Sequence, residues 1–590
     1  MNQQLLQLQQ KLKEQHITYY LIPSEDPHQS EYVDEHYKCR QFISEFTGSA
    51  GTLLVGVDSC YLWTDGRYFT QAEEQINSTQ IQLMKSAVSG VPTISDFLKS
   101  HLKQDDILAV NGTTISTSYG KQLEKLAQSC KASFQSDFTF AEDIWLDRPP
   151  KKQSEIFLHD ISYAGEEVSS KLSSIRERLN EINVDSHFLS ALPDIAWLFN
   201  LRGDDMECTP LFYSYAYITE KECHLFLNIS CLTTKALNHL KETQIILHEY
   251  DEVETFLNAQ ERSVFLDPDT TNYDLYHLLK KNNIALGTNP STPLKAVRNE
   301  VQIENLRKCH LYDGIAMTKF MYWLKTNIGK LPMTEISVSN YLEELRNIQP
   351  DYHSLSFETI CAYKEHAAMM HYCSTKDSDV ELKPEGMLLI DSGGQYFSGT
   401  TDITRTFILG PVSDEEKKNF TIVCKCMLNL ANAKFLLGCR GSNLDILSRG
   451  PLWEHGIDYR CGTGHGVGYF LGVHEGPNAF RWQTKADRLD AILRPGMVTT
   501  DEPGVYVPGK YGIRTENMLL CKKQKQNEYG SFLEFEPLTL VPIDMDGIDF
   551  TYFNEEDKKR LKEYHQMVWD VISPHLTDEE RNWLKEFIQQ

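Results

Sequence analysis

The stretch MLLIDSGGQYFSGTTDITRTF, residues 387–407, decides the fold of the C-terminal half, and it has a counterpart in MVTTDEPGVYVPGKYGIRTENMLL, residues 497–520. Each begins with a β-rich run that ends in a carboxylate and a Gly-containing turn. Each then continues into a second strand that brings another carboxylate, 11 residues later in the first stretch and 14 in the second, as a folded-back hairpin would. We therefore expect the two halves to form an antiparallel sheet on which four carboxylates converge. They are Asp391, Asp402, Glu502 and Glu516.

Four carboxylates at one point repel one another, and burying them unpaired costs more than a core can supply. A divalent cation removes that conflict. Between the two hairpins lies CGTGHGVGYFLGVHEGP, residues 461–477, in which glycines around His465 permit close approach of the backbone. Oxygen ligands suit Mn²⁺, Mg²⁺ or Ca²⁺, whereas one imidazole shifts the preference towards Mn, Fe, Co or Zn. The pattern predicts a metal site.

Each part of this pattern has a simpler interpretation on its own. An aspartate after a strand, such as Asp391, is usually a turn residue. The Gly run resembles a phosphate loop, but it lacks the lysine of such loops and the spacing of dinucleotide-binding sites. Two matched carboxylate hairpins around a Gly-embedded histidine favour a metal site over these interpretations.

The composition of the chain excludes several classes of protein. The chain has 590 residues, with 58 Lys and Arg against 83 Asp and Glu, and a formal net charge of −25. That balance argues against nucleic-acid partners and against anionic membrane surfaces. No run of 18 apolar residues is present, and the N-terminus lacks the pattern of a secretory signal. The 14 cysteines include no CxxC pair, so we expect reduced thiols and a cytoplasmic location.

The chain divides into three predicted domains. Residues 1–150 and 151–298 each alternate helical and strand-like segments, which indicates two smaller α/β domains of related fold, with a boundary at Pro149-Pro150. Residues 299–590 form the third, which opens on a long amphipathic helix after two prolines. Capping boxes at Ser413 and Thr577 predict helix starts, and about 530–590 is expected to be a helical extension.

The motifs LLIDSGGQY, GTTDITRTF, GTGHGVG, VHEGP, TDEPGVY and GIRTENMLL resemble the "pita-bread" metallopeptidase family, which includes methionine aminopeptidases, prolidases and Xaa-Pro aminopeptidases. ALPDIAWLFNLRG (191–203), HAAMMHY (366–372) and the C-terminal tail are similar to the three-domain, cytosolic type of Xaa-Pro aminopeptidase, or aminopeptidase P. The likeness implies an α+β protein. Its pita-bread catalytic domain, of the creatinase and methionine aminopeptidase type, would follow two creatinase-like α/β domains.

The resemblance also implies a mechanism. Two divalent ions, Mn²⁺ in preference to Zn²⁺ or Co²⁺, would hold a hydroxide that attacks the N-terminal Xaa-Pro bond. Their ligands would be the five residues that match the family's dinuclear set. These are Asp391, Asp402, His465, Glu502 and Glu516, of which Asp402 and Glu516 would bridge the ions. Glu502 would also move the proton.

Further residues match family positions outside the ligand set. His371 and His474 would contact the substrate and help to stabilise the tetrahedral intermediate. Arg514 would steady the carboxylates, and Cys461 stands at a substrate-facing position where the family commonly has histidine. His366 has no assigned role and is expected to be a histidine of a surface loop.

Several alternatives remain at this stage. The chain could be an Xaa-Pro dipeptidase, or prolidase, with the same chemistry and a shorter groove. A non-catalytic binding module and a creatinase-like hydrolase that needs no metal are both disfavoured, because all five ligand positions are present. Peptides with proline in second position are the expected substrates. The expected assembly is a homodimer.

Overall fold

The computed structural model describes residues 2–483 and 490–589 of the chain. It divides into two compact units: Met1–His159 with Glu166–Ser291, and Asp160–Gly165 with Thr292–Gln590. Within the described ranges, no helix is both long enough and apolar enough to cross a membrane.

The first unit contains two six-stranded sheets with the same topology. The first sheet has the spatial order Gln82–Lys85, Ser59–Thr64, Thr52–Gly56, Tyr19–Ile22, Ile107–Val110 and Ser133–Gln135. The second has the order Ile246–Glu249, Cys223–Leu227, Ser214–Thr219, Ser186–Leu189, Val264–Leu266 and Ile284–Leu286. In both, two antiparallel pairs at the centre are flanked by parallel pairs. The prediction of two related α/β folds is confirmed.

Helices cover these sheets, as the parallel pairs require, because a parallel connection must cross over the sheet. Those of the first sequence region are Gln3–Glu14, Cys39–Ser44, Phe69–Ile76, Ile94–His101, Thr117–Ser129 and Phe140–Ile144. Those of the second are Val168–Glu181, Leu192–Phe199, Thr234–Glu242, Val253–Asn258 and Tyr273–Leu279. A two-stranded pair joins Phe157–Leu158 to Leu201–Arg202.

The second unit is built around a large apolar core between helices and several small antiparallel sheets. Its helices are Ile161–Ala164, Ser291–Ala296, Glu300–Asn327, Glu335–Asn347, Asp414–Ala431, Gly441–Trp453, Glu555–Ile572 and Asp578–Ile588. The long helix after the two prolines starts at a capping box between Asn299 and Gln302. The predicted boxes at Ser413 and Thr577 are also formed, and each satisfies free backbone donors of its helix.

The two carboxylate hairpins form, but they belong to different sheets. The first sheet is Ile360–Tyr363, Met387–Ser392 and Ile403–Ile408. The second is Lys434–Leu436, Gly530–Pro537, Asn517–Asn527 and Val498–Asp501. The expectation of one sheet is therefore wrong. An extra hairpin, Gly504–Val507 with Tyr511–Arg514, separates the two strands of the second stretch.

Smaller pairs complete the unit: Tyr352–Leu355 with Gly394–Tyr396 and Gly399–Thr400, and Gly464–His465 with Ala479–Phe480. In the C-terminal segment, the α-helices begin at Glu555, after the two short 3-10 helices Met545–Gly547 and Phe550–Tyr552. Before these helices, Gly530–Pro537 pairs with Asn517–Asn527, because its alternating side chains suit a strand that is buried on one face.

Candidate metal centre

The four predicted carboxylates lie where strands of the two sheets end or begin. Asp391 is paired with Thr404 across the first sheet, and Asp402 immediately precedes the strand Ile403–Ile408. Glu502 follows Val498–Asp501, and Glu516 precedes Asn517–Asn527. Because these ends face one another, side chains far apart in sequence converge.

Thr404 joins the two sheets at this point. The backbone amide of Glu516 donates to the Thr404 carbonyl at 3.1 Å. The Thr404 hydroxyl in turn donates to Oε2 of Glu516 at 2.7 Å. These two bonds fix the second hairpin against the first and hold the Glu516 carboxylate towards Asp402.

Asp402, His465 and Glu516 form the centre of the cluster, with potential ligand atoms within 4.8 Å of one another. Nε2 of His465 lies 3.5 Å from Oδ2 of Asp402 and 3.4 Å from Oε1 of Glu502. Nδ1 of His465 lies 3.1 Å from the Gly466 carbonyl, which makes Nδ1 the protonated nitrogen and leaves the Nε2 lone pair facing the carboxylates.

The backbone around His465 is packed so closely that only glycine fits beside it. A Cβ at Gly464 would lie 1.8 Å from the Thr500 carbonyl oxygen. The amide of His465 donates to the Thr500 hydroxyl at 2.9 Å. The Gly-rich pattern therefore brings His465 against the strand that leads to Glu502.

The electrostatics of the cluster call for positive charge. Burial first, and then the neighbouring carboxylates, raise the pKa values of Asp402 and Glu516 well above their usual range. Burial also raises the pKa of Glu502 to about 7, and it lowers the pKa of His465 well below its usual value. Oδ1 of Asp391 and Oε1 of Glu516 are buried without a hydrogen-bond partner. An oxygen-rich donor set with one imidazole and unused lone pairs fits divalent cations.

Among the described residues, Arg514 is the cation that contacts the cluster directly. Its Nη2 donates to Oδ2 of Asp391 at 2.5 Å, and its Nη1 donates to the hydroxyl of Tyr506 at 2.5 Å. Its Nε donates to the Thr404 hydroxyl at 3.1 Å. Its positive charge lowers the pKa values of the buried carboxylates, and they raise its own. One guanidinium nevertheless leaves the cluster with excess negative charge.

The two further histidines lie beside His465. The ring of His474 is 4.3 Å from that of His465, nearly perpendicular at 83°. The charges of His474 and His371 both lower the pKa of His465, after the larger effect of burial. Cys461 lies near Tyr506, whose pKa is raised by burial first and also by the thiol, while Arg514 opposes the rise.

One contact beside the centre carries no signal in the sequence. The hydroxyl of Thr401, the residue before Asp402, donates to the carboxylate of Asp313. The same carboxylate accepts a hydrogen bond from Nε of Arg346 at 2.6 Å. Both charged side chains are fully buried and come from two different helices. Their spacing along the chain follows no motif, so only the structure identifies them.

His366 does not lie free on a surface loop, as the sequence had suggested. Its side chain is 21% exposed, and its Nδ1 lies 2.9 Å from Oε1 of the buried Glu335. Its ring stacks on Tyr372 with centroids 4.5 Å apart. The local sequence cannot indicate this, because the partner carboxylate is 31 residues away.

Comparison with known proteins assigns most of the chain to domain types. Residues 4–137 and 147–302 match the Creatinase/Prolidase N-terminal domain, residues 304–523 match Metallopeptidase family M24, and residues 531–590 match the C-terminal region of peptidase M24. The fold class predicted from the sequence is confirmed.

Full-length relatives agree with this assignment. A probable Xaa-Pro aminopeptidase P of Laccaria bicolor is 34% identical over 99% of this chain and 92% of its own length. One of Talaromyces marneffei is 35% identical over 99% of this chain and 91% of its own length. The crystal structure of X-prolyl aminopeptidase from Caenorhabditis elegans superposes with a TM-score of 0.95 at 32% identity, over 99% of this chain and 98% of that one. That protein is described as a cytosolic enzyme with a di-nuclear active site.

Proposed function

Because the chain belongs to the Xaa-Pro aminopeptidase P family, we propose that it releases the N-terminal residue of peptides whose second residue is proline. The chain is a metallo-exopeptidase with an M24 catalytic domain. The observation that carries the proposal is the convergence of Asp402, His465 and Glu516, with buried carboxylate oxygens that have no protein partner.

Two divalent cations would be held by the five residues of the cluster. Asp391, Asp402, Glu502 and Glu516 would supply carboxylate oxygens as ligands, and His465 would supply one imidazole nitrogen. When bound, the cations supply a hydroxide nucleophile near neutral pH and polarise the scissile carbonyl. Mn²⁺ is the ion we propose, since oxygen ligands dominate the set.

The side chains around the cluster then complete the reaction. Glu502 takes the proton of the attacking water and passes it to the leaving proline nitrogen, which must be protonated to depart. His371 and His474 bind the substrate and stabilise the negative charge that develops on the carbonyl oxygen. Cys461 faces the substrate, and Arg514 keeps Asp391 oriented through its 2.5 Å contact.

Specificity for proline has a physical basis. Proline lacks the N–H with which extended peptides are usually held, and its ring fixes φ. A site that accepts it must therefore recognise the ring by shape. A prolidase would meet the same requirement but would reject a peptide that continues beyond the proline.

Hydrolysis of Arg-Pro-Pro, Arg-Pro and Arg-Ala-Ala by protein stripped of metal and refilled with Mn²⁺ tests this proposal. We expect arginine to be released from Arg-Pro-Pro, with Arg-Pro a poor substrate and Arg-Ala-Ala not cleaved. Cleavage of Arg-Pro alone would make the chain a prolidase. Absence of cleavage with two metals bound would overturn the proposed function.

The proposal extends to assembly and location. We also propose a homodimer, the assembly that the family resemblance implies. Sedimentation at the mass of one 67.9 kDa chain would contradict it. A cytoplasmic location is supported by the cytosolic description of the Caenorhabditis elegans protein, and cell fractionation tests it.

A further inference from the structure

Glu335 is a fully buried carboxylate outside the metal cluster. It is the first residue of the helix Glu335–Asn347, and its relative exposure is 0%. The N-terminal end of a helix favours a negative charge, which offsets part of the cost of burial. The rest must come from hydrogen-bond donors, because an unpaired buried charge is strongly destabilising.

In the part of the chain that the structure describes, the donors to the Glu335 carboxylate from outside its helix come from one segment, residues 363–374. The Tyr363 amide donates to Oε1 at 2.7 Å, and His366 Nδ1 lies 2.9 Å from the same oxygen. The Tyr372 hydroxyl donates to Oε2 at 2.9 Å and the Ser374 hydroxyl at 3.3 Å. One carboxylate therefore binds this segment at four points.

His371 lies between these points. The segment's own backbone structure is the short 3-10 helix Lys364–Ala368 and a turn around His371, in which the Tyr372 amide donates to the Met369 carbonyl at 3.2 Å. Tyr372 directly follows His371 and packs in a small apolar cluster with Ala362 and Leu389. On the other side, the Met370 carbonyl accepts a hydrogen bond from Nη2 of Arg514 at 3.4 Å.

The position of His371 is thus set from two directions. Arg514 ties the residue before it to Asp391 and the metal cluster. Glu335 ties the residue after it to the helix Glu335–Asn347. The His366 imidazole adds two further contacts, one with the Glu335 carboxylate and one by stacking on the Tyr372 ring.

We propose that Glu335 is a positioning residue for the hydrolytic reaction, which it serves by holding His371 beside the carboxylate cluster through Tyr372 and His366. The inference rests on the proposed function, in which His371 binds the substrate. Glu335 itself does not contact substrate or metal. Its effect on catalysis is therefore expected to pass entirely through His371.

A double-mutant cycle separates this role from a general contribution to stability. Glu335→Ala in the Mn²⁺-loaded full chain should lower kcat/KM for Arg-Pro-Pro by about 100-fold, the scale of a 1 Å misplacement. In the His371→Ala background the same change should cost less than about twofold, because the group that it misplaces is gone. Equal losses in both backgrounds, or none in either, would overturn the proposal.

Milder variants keep the proposal testable if Glu335→Ala does not fold. Glu335→Gln keeps an acceptor for Tyr363 and His366 and should recover part of the loss. Tyr372→Phe removes one of the four donors to Glu335, together with the contacts of that hydroxyl with Ser378, and should lower kcat/KM by less than Glu335→Ala does. Glu344→Ala, an exposed carboxylate on the same helix, is the matched control and should leave kcat/KM unchanged.

Hydrogen exchange gives a readout that does not depend on activity. Peptides covering residues 363–374 should exchange faster in Glu335→Ala and Tyr372→Phe than in Glu344→Ala, at the same metal content per chain. Unchanged exchange would refute the anchoring role even if the wild type cleaved no peptide. If the wild type cleaves no peptide but exchange is still faster in Glu335→Ala and Tyr372→Phe, the anchoring role stands and the proposed function is wrong.

Discussion

Replacing Arg346 by methionine should destabilise the catalytic unit far more than any surface ion pair could. The Arg346 Nε lies 2.6 Å from Oδ1 of Asp313, and both side chains are 0% exposed. Nη2 lies 3.4 Å from the other oxygen, so the pair is bidentate. Methionine preserves much of the volume but leaves the buried Asp313 carboxylate without its guanidinium partner, while the Thr401 hydroxyl still donates to it.

The expected magnitude follows from that burial. Removing one partner of a buried ion pair typically costs about 3–5 kcal/mol of unfolding free energy. Replacing both partners, in Arg346→Met with Asp313→Leu, leaves no charge behind and should recover all but about 1 kcal/mol, the cost of the hydrogen bond that the Thr401 hydroxyl loses. That hydroxyl still accepts from the Gly394 amide at 2.9 Å. The unfolding free energy of the single variant falls mainly because a carboxylate stays buried without a partner, and less because one attraction is lost.

Urea unfolding of the metal-loaded chain, followed by tryptophan fluorescence, measures these differences. Arg307→Met is the control, because Arg307 pairs with Glu536 at 2.8 Å but is 47% exposed. It should cost less than about 1 kcal/mol. A cost for Arg346→Met no larger than for Arg307→Met, or a double variant no more stable than the single one, would refute the reasoning.

Three further outcomes follow. Mn²⁺ should raise the thermal midpoint of the stripped chain because it neutralises buried carboxylates, and Asp402→Asn should abolish most of the rise; equal shifts in both proteins would contradict this. Burial lowers the pKa of His28 to about 3 and of His310 to about 4, from 6.5. The unfolded chain therefore binds more protons than the folded chain below pH 6.5. The unfolding free energy should decrease as the pH is lowered from 6.5 towards 4, by up to about 1.4 kcal/mol for each pH unit and each histidine. Urea midpoints at pH 7 and 5 measure the fall, and His310→Asn should make it shallower. Lys295→Met breaks a buried ion pair with Glu475 at 2.5 Å. Because Glu475 follows His474, the variant should lower both kcat/KM and the urea midpoint, and wild-type values of both would contradict this prediction.

The sequence was sufficient for the features that repeat locally. β-rich runs between turns predicted Met387–Ser392 and Val498–Asp501, and capping boxes predicted the helix starts after Ser413 and Thr577. The carboxylates converge as expected because each stands at a strand end, where chain direction is restricted. These patterns depend on neighbours within a few residues.

Features that depend on long-range partners were not predictable in this way. The bond between Thr404 and Glu516 that joins the two sheets spans 112 residues, and the pair of Arg346 with Asp313 spans 33. His366 was expected to be a histidine of a surface loop by default, whereas its partner Glu335 lies on another element. Such contacts are set by packing of complete elements, which periodicity does not describe.

A Mn²⁺ titration of stripped protein, with bound metal and arginine release from Arg-Pro-Pro followed in the same samples, tests the central claim most directly. The account predicts no hydrolysis without metal, a rise with added Mn²⁺, and a plateau at two ions per chain. It also predicts that Asp402→Asn neither binds two ions nor reaches the plateau. Full hydrolysis by the stripped protein, or two bound ions without arginine release, would contradict it.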